Sequence, residues 1–264
     1  EAPVEMISWF RQIQQQCGIV PYMKIDAPSP YISQIRHQTG DKDIYFITNC
    51  NPEDEIRIQA TFAANGRTPW LWNPETGERS PYPVSSGSTL QIDLEPAASR
   101  LIVFEELKDS KISLPALPLQ SSSPVELNGW TVRMAHINGE STKRELDTLV
   151  DFSVKSETQS FSGNLYYEKT VENTAGFYYL DLGKVYGVSE VTLNGENLGC
   201  KWYGNHVYQL PEHLAKAPVK SLQIKITTTV GNYLKATPEN KIGQAWTHHQ
   251  KWAPTGMLGP VKLM

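Results

Sequence analysis

The chain has 264 residues, with 24 Lys plus Arg against 28 Asp plus Glu and a formal net charge of −4. That length suits one large or two modest domains, and a mild negative charge without any basic stretch argues against a nucleic-acid or anionic-membrane partner. Apolar residues at 39% and aromatics at 10% suffice for a sizeable core, while no apolar run approaches the ~18–20 residues of a membrane span and no basic-then-apolar signal peptide opens the chain.

The first segment reads as a helix. Pro3 and Glu5 suit a first turn, and Val4, Ile7, Phe10, Ile13 and Cys17 recur at three- and four-residue steps before Gly18 supplies a stop. Such a stripe needs something to bury it, and the following sandwich is small. The expectation is therefore that residues 1–30 are a helix and connector left from a preceding domain, with residue 1 a cut.

From Tyr31 the hydrophobic period changes to two. Tyr31–Gln38 and Asp43–Asn49 flank the short polar turn Thr39-Gly40-Asp41. Asn51-Pro52-Glu53-Asp54 turns the chain into the alternating strand Ile56, Ile58, Ala60, Phe62. Trp70-Leu71-Trp72 leads into the turn Asn73-Pro74-Glu75-Thr76-Gly77, and Leu90, Ile92 and Leu94 alternate before the short apolar strand Leu101–Phe104. Trp70 and Trp72, two apart on one face, read as packing. This rhythm predicts a small antiparallel β-sandwich over 31–107.

Pro115, Pro118 and Pro124 around Ser121-Ser122-Ser123 break the pattern, so a linker is expected over 108–126. Beyond it Trp130, Val132 and Met134 alternate; 138–158 is polar and poorly periodic and reads as a loop or insertion. Strands follow at Leu165–Val171, Phe177–Leu182, Val188–Leu193, Val207–Leu210 and Leu222–Thr228, with Asn194-Gly195 as a hairpin signal. A second antiparallel sandwich, a jelly roll over 127–264, is the expectation. The fold class is thus all-β, two antiparallel β-sandwich domains.

Chemistry-bearing motifs are sparse. There is no phosphate-binding glycine loop, no G-x-S-x-G elbow and no H-E-x-x-H, and the adjacent His248-His249 cannot point one way from a strand. Cys17, Cys50 and Cys200 match neither a disulfide framework nor a zinc spacing and read as small buried residues. No cofactor and no metal site is expected. A glycosidase needs only two carboxylates placed across the bond by the fold. Glu168, Asp181, Glu190 and Glu196 lie near strand ends, where acidic residues more often hold turns or face water.

Aromatics are more informative. A pyranose ring has an apolar C–H face and a rim of hydroxyls, so its sites combine an aromatic platform with polar hydrogen-bonders. Trp202 and Tyr203 with Asn205 and His206 have that composition. So do Trp246 and Trp252 with His248, His249 and Gln250 between them. Against this stands the commoner role of tryptophan in a β-sandwich, which is packing.

Several runs carry a resemblance. Asp43-Ile44-Tyr45-Phe46-Ile47-Thr48-Asn49, then Leu71–Glu78 and the strand ending Leu101-Ile102-Val103-Phe104, resemble the region downstream of the catalytic barrel in the α-L-rhamnosidases of glycoside hydrolase family 106. Phe161–Tyr167, Leu180–Val185, Val191–Gly195 with Leu198-Gly199, and Gly256–Val261 are similar to the galactose-binding-like jelly roll shared by that family and by the sugar-binding domain of family 2 enzymes. Val230-Gly231-Asn232-Tyr233-Leu234 departs from the pattern, standing where an Asn-Arg-Leu run with an acidic residue is usual.

The resemblance implies a bacterial, secreted or periplasmic, polysaccharide-degrading glycosidase whose catalytic glutamates and any calcium site lie in an upstream (β/α)8 barrel. Such a barrel alone needs about 250 residues, so no residue here inherits a catalytic role. The expectation is a non-catalytic accessory, carbohydrate-binding C-terminal region. Its partners are the upstream barrel of the same polypeptide and a plant or host glycan, with no nucleic acid and no membrane. The rivals are a free-standing carbohydrate-binding protein and a self-contained glycosidase.

Overall fold

The computed structural model describes residues 4–64, 66–106, 123–172, 176–215 and 219–264. The chain divides into two compact units, Glu1–Leu117 and Pro118–Met264. The linker expected at 108–126 lies mostly outside the described residues.

The first unit comprises α1 (Val4–Gln16), β1 (Met23–Ile25), β2 (Ile32–Thr39), β3 (Lys42–Asn49), β4 (Ile56–Phe62), β5 (Thr68–Trp72), β6 (Arg79–Pro81), β7 (Thr89–Leu94) and β8 (Ser99–Glu105). Two antiparallel sheets, β1-β4-β7 and β2-β3-β8-β5-β6, bury the alternating residues between them. Tyr45, Ile47, Ile58, Phe62, Leu90, Ile92, Ile102 and Phe104 form that core, with the rings of Tyr45, Phe62 and Phe104 4.8–5.8 Å apart. Buried Asn49 fastens the predicted 51–54 turn: its amide donates to the carbonyls of Asp54, Leu94 and Glu95, and its Oδ1 accepts from Asn51 N. At the other end of β3, buried Asp43 accepts from both Arg36 and Arg67, and the Arg36 guanidinium lies 3.8 Å over the Tyr22 ring. Met23–Ile25, placed in the leading connector by the sequence, pairs with β4 and so belongs to the sandwich.

Helix α1 forms as the periodicity predicts and ends at Gly18, which is left-handed (φ 61°) while Ile19 N closes back on Gln14 O. Its apolar residues Met6, Ile7, Trp9 and Phe10 are all exposed.

The second unit comprises β9 (Val125–Glu126), β10 (Trp130–His136), β11 (Ser141–Leu146), β12 (Gly163–Glu172), β13 (Tyr179–Asp181), β14 (Lys184–Tyr186), β15 (Val188–Leu193), β16 (Glu196–Lys201), β17 (Val207–Gln209), α2 (Glu212–Ala215), β18 (Val219–Thr227), α3 (Gly231–Lys235), α4 (Lys241–Thr247), β19 (Gly256–Gly259) and β20 (Lys262–Leu263). A six-stranded sheet, β11-β10-β12-β18-β15-β16, packs on a four-stranded one, β17-β13-β20-β9, with β14 and β19 paired beside them. The core draws on both large sheets: Trp130, Val132, Leu165, Tyr167, Val191, Ile224 and Ile226 from one, Leu180, Tyr208 and Leu263 from the other. The fold is therefore all-β, with antiparallel sandwiches and short helices, as the sequence led us to expect.

Two glycine-dependent features hold the jelly roll together. Asn194 and Gly195 both take positive φ (51° and 83°), the requirement of a two-residue hairpin turn whose twist matches its strands. Gly183 bridges to Gly259, and a Cβ at Gly183 would meet the Gly259 backbone at 2.4 Å, so only glycine permits that approach.

Three sequence expectations are corrected. All three cysteines are exposed, not buried: Cys17 ends an exposed helix, Cys50 follows β3 and Cys200 lies on the edge strand β16. The polar stretch 138–158 is not simply a loop, because it contains β11, paired along its length with β10. Residues 231–247, given no structure from sequence, form the short helices α3 and α4.

Candidate functional site

In β12 and β15 the buried residues are Leu165 and Tyr167, Val191 and Leu193, so Glu168 and Glu190 point to the opposite, solvent-facing side of the six-stranded sheet. Glu168 sits level with Gln223 of the intervening β18 and Glu190 level with Lys225. Two strand spacings and a two-residue offset put their Cα atoms roughly 12 Å apart on that face. Glu168 accepts from Gln223 Nε2 at 3.0 Å. Asp181 lies in the opposite sheet, where its carboxylate accepts from Gly183 N and holds the turn. Glu196 pairs with His213 at 2.8 Å beside the Asn194 hairpin. All four have places in the fold's scaffolding or on its exposed surface.

The two aromatic clusters differ. Trp202 is 65% exposed and meets Tyr203 edge to face at 4.9 Å. His206, by contrast, is buried: its Nδ1 lies 2.5 Å from Ser189 Oγ, which also meets Tyr208 Oη at 2.6 Å. Burial, reinforced by the charge of Lys201, pushes the His206 imidazole down to about 4. It faces the core and is not presented beside Trp202. Asn205 is exposed. In the second cluster Trp246, on α4, is 75% exposed, while half-buried Trp252 lies 5.2 Å from Lys235 Nζ. The His248 and His249 rings are 3.4 Å apart and exposed. No group of three or more His, Cys, Asp or Glu is disposed to hold a metal ion among the described residues.

A concave site lies elsewhere in the jelly roll. In an antiparallel pair, residues directly opposite share a face. Val132 and Met134 point into the core, so their partners Arg144 and Thr142 on β11 also point inward. Strand β11 is the edge of its sheet, and beyond Leu146, which packs on the core, its inner face is polar at Arg144 and Thr142 where the pattern would call for Val or Leu. The result is a cleft of about 310 Å³. One wall is the β10–β11 hairpin, with Met134, His136, Asn138, Glu140, Thr142 and Arg144; the other is the segment bearing Glu157, Ser160 and Phe161, and α3 with the turn after it closes the end with Tyr233 and Thr237.

Aromatic packing sets the cleft's interior. The His136 ring stands edge to face between Phe161 (5.3 Å) and Tyr233 (5.4 Å). Its Nδ1 accepts from Asn138 N at 3.0 Å, which leaves the ring proton on Nε2. Arg144 and Glu157 approach to 3.5 Å across the opening.

The walls are held by a buried polar relay. The side chain of Asn232, 5% exposed, donates to Ala253 O at 2.8 Å and Thr255 Oγ1 at 3.1 Å and accepts from Ala253 N at 2.9 Å. Thr255 N in turn donates to Asp151 Oδ1, which also takes Ser153 N, while Thr158 Oγ1 donates to Phe152 O. Helix α3 and the 152–161 segment are thus tied to one strip of backbone. Gln244 of α4 caps α3, its Nε2 shared among the carbonyls of Leu234, Lys235 and Thr237.

None of the residues picked from the sequence lines this cleft. The signal that was available is Asn138-Gly139, the same hairpin dipeptide as Asn194-Gly195, flanked by the polar β11; Gly139 takes φ 93°. Tyr233 sits within the run that departs from the family pattern, and that run is where α3 enters the cleft wall.

The sequence pattern of the family described as alpha-L-rhamnosidase matches residues 5–85. No curated protein matches the chain. Among solved structures, a rhamnosidase from Novosphingobium sp. PP1Y superposes with a TM-score of 0.68 at 22% identity, covering 96% of this chain and 26% of its own. The chain therefore spans about a quarter of that protein, a likeness that establishes the fold. A GH2 beta-galacturonidase from Eisenbergiella tayi, bound to galacturonate, covers 53% of this chain and 24% of its own at 14% identity, with a TM-score of 0.38 that is too low to bear on the fold. Residues 5–85 thus carry the alpha-L-rhamnosidase family pattern, and the resemblance to glycoside hydrolase family 106 read from the sequence is borne out.

Proposed function

We propose that the chain is a non-catalytic accessory region of a polysaccharide-degrading, α-L-rhamnosidase-like glycoside hydrolase, supporting a catalytic barrel and contacting a glycan residue through its jelly roll. What carries the reading is the cleft between β10–β11 and α3: an aromatic, hydroxyl- and carboxylate-lined hollow on a fold that corresponds to about a quarter of a rhamnosidase. Pockets for small ligands start near 300 Å³, so a volume of about 310 Å³ suits one or two sugar units. The engagement of Glu168 by Gln223, of Asp181 by Gly183 N and of Glu196 by His213 supports the non-catalytic half. A secreted or periplasmic setting goes with the same resemblance.

The test uses the whole chain. Incubated with p-nitrophenyl α-L-rhamnopyranoside it is expected to release no nitrophenol, and amide spectra titrated with methyl glycosides are expected to shift at Glu140, Arg144 and Tyr233. Hydrolysis that disappears in Glu168→Gln overturns the non-catalytic role. Spectra that stay unchanged with every sugar overturn the glycan contact.

A further inference from the structure

We propose that the cleft selects a neutral pyranosyl residue and discriminates against the corresponding uronic acid; this rests on the reading of the cleft as a glycan site. Three features of the hollow point that way.

The first is its platform. Tyr233 is half-buried, held edge-on by His136, and sits on a helix anchored through Asn232. A half-buried ring that lines the cleft on an anchored helix is presented to a sugar at little ordering cost. The second is the donor set. With His136 Nδ1 accepting a backbone N–H, the ring offers a single Nε2–H and no second proton on Nδ1. With Nδ1 engaged by the backbone, the ring presents one edge, Nε2, which suits a single hydroxyl oxygen.

The third feature is charge. The cleft is lined by Glu140, Glu157 and Arg144. The guanidinium is already faced by Glu157 at 3.5 Å, and Glu140 makes no ion pair of its own among the described residues. A sugar hydroxyl can donate to a carboxylate and accept from a guanidinium at once, so an ion pair of this kind suits neutral polyols. An incoming carboxylate meets two acidic groups against one basic group; the acidic groups are exposed, so the repulsion is screened by salt and is largest at low ionic strength.

Matched ligands test the selection: methyl galactoside against methyl galacturonide, methyl glucoside against methyl glucuronide, and methyl α-L-rhamnopyranoside as a third neutral sugar. Each is titrated into the intact chain at low ionic strength and followed by amide shifts. The neutral member of at least one pair, or the rhamnoside, is expected to bind about tenfold or more tighter than either acid. In the double variant Glu140→Gln, Glu157→Gln the ratio is expected to fall to about twofold, while Tyr233→Ala, its fold checked in the same spectra, weakens binding of every ligand about tenfold. A uronide that binds the unmodified chain as tightly as its neutral partner overturns the selectivity and leaves the glycan site standing. Absence of binding by all five ligands removes the glycan site itself. A ratio unchanged in the double variant overturns the charge argument.

Discussion

Two places in the jelly roll combine aromatic rings with polar groups, and they are built in opposite ways. In the 202–206 loop the rings are conspicuous in the sequence, yet Trp202 stands out into solvent and His206 turns inward to Ser189. In the β10–β11 cleft no residue is conspicuous, yet His136, Phe161 and Tyr233 pack into a hollow lined with charged and hydroxyl groups. A chain can expose tryptophans anywhere on its surface; a hollow requires the core pattern to be interrupted and its rim to be held. The difference is one of support: the cleft rests on a relay of buried hydrogen bonds through Asn232, Thr255 and Asp151.

Removing that support is expected to have the largest effect. Asn232→Ala deletes both donors and the acceptor that fix α3 and leaves the amide and carbonyl of Ala253 without them. Losing these three side-chain hydrogen bonds of a buried amide is expected to cost about 2–4 kcal/mol in urea unfolding. It should also abolish amide shifts on sugar addition. A variant as stable as the parent would mean that the relay does not hold the cleft.

The second test turns to the other region and to pH. His206 titrates near 6.5 when unfolded and is pushed down to about 4 in the fold, mainly by burial. Below about pH 6.5 the unfolded chain takes up a proton that the folded chain refuses, so stability falls as pH drops towards 4 and this group contributes no further loss below that. The loss is expected to be on the order of 2–3 kcal/mol, read from urea midpoints between about pH 7 and pH 4. His206→Gln should flatten that slope. An equally steep slope in the variant would assign it to other groups. If His206 behaves so, it is part of the core, and the 202–206 loop loses the imidazole that made it resemble a sugar site.

How much of this was legible follows from the same contrast. Strands β3, β4 and β7 are readable because one face meets a core and the other water, which imprints a period of two on Tyr45 and Ile47, on Ile58 and Phe62, on Leu90 and Ile92. Strand β11 carries no such imprint. Its inner residues Thr142 and Arg144 line the cleft and its outer residues face solvent, so Ser141–Glu145 is polar on both sides, only Leu146 reaches the core, and the stretch reads as a loop. The feature that makes the site erases the signal of the strand that forms it. Strands β14 and β19 were hidden for another reason: their pairing is short, glycine-rich and shifts register between Lys184 and Val185. The cleft as a whole joins three segments distant in sequence, 134–144, 157–161 and 233–237, and no local pattern expresses that meeting.

The third test sets the two regions side by side through single rings. Tyr233→Ala removes the platform and is expected to weaken sugar binding about tenfold, or about 1.4 kcal/mol, with a smaller effect on stability because the ring is only half-buried. Titration of methyl glycosides checks it. Equal affinity in the variant would shift the contact away from α3.

The smallest expected effect is the most discriminating. With 65% of its surface exposed, Trp202 buries little area when the chain folds, so Trp202→Ala should change stability by no more than about 0.5 kcal/mol. Its effect on sugar binding should fall within error. Quenching by iodide supplies an independent reading, since Trp202 and Trp246 lie open to solvent whereas Trp130 is 1% exposed. Sugar added to the intact chain should therefore leave the quenchable fraction unchanged, because the cleft holds no tryptophan. Protection of that fraction, lost in Trp202→Ala, would move the glycan contact to the exposed loop. The conspicuous aromatics would then be the site, and the supported hollow an unused fold of the sheet edge.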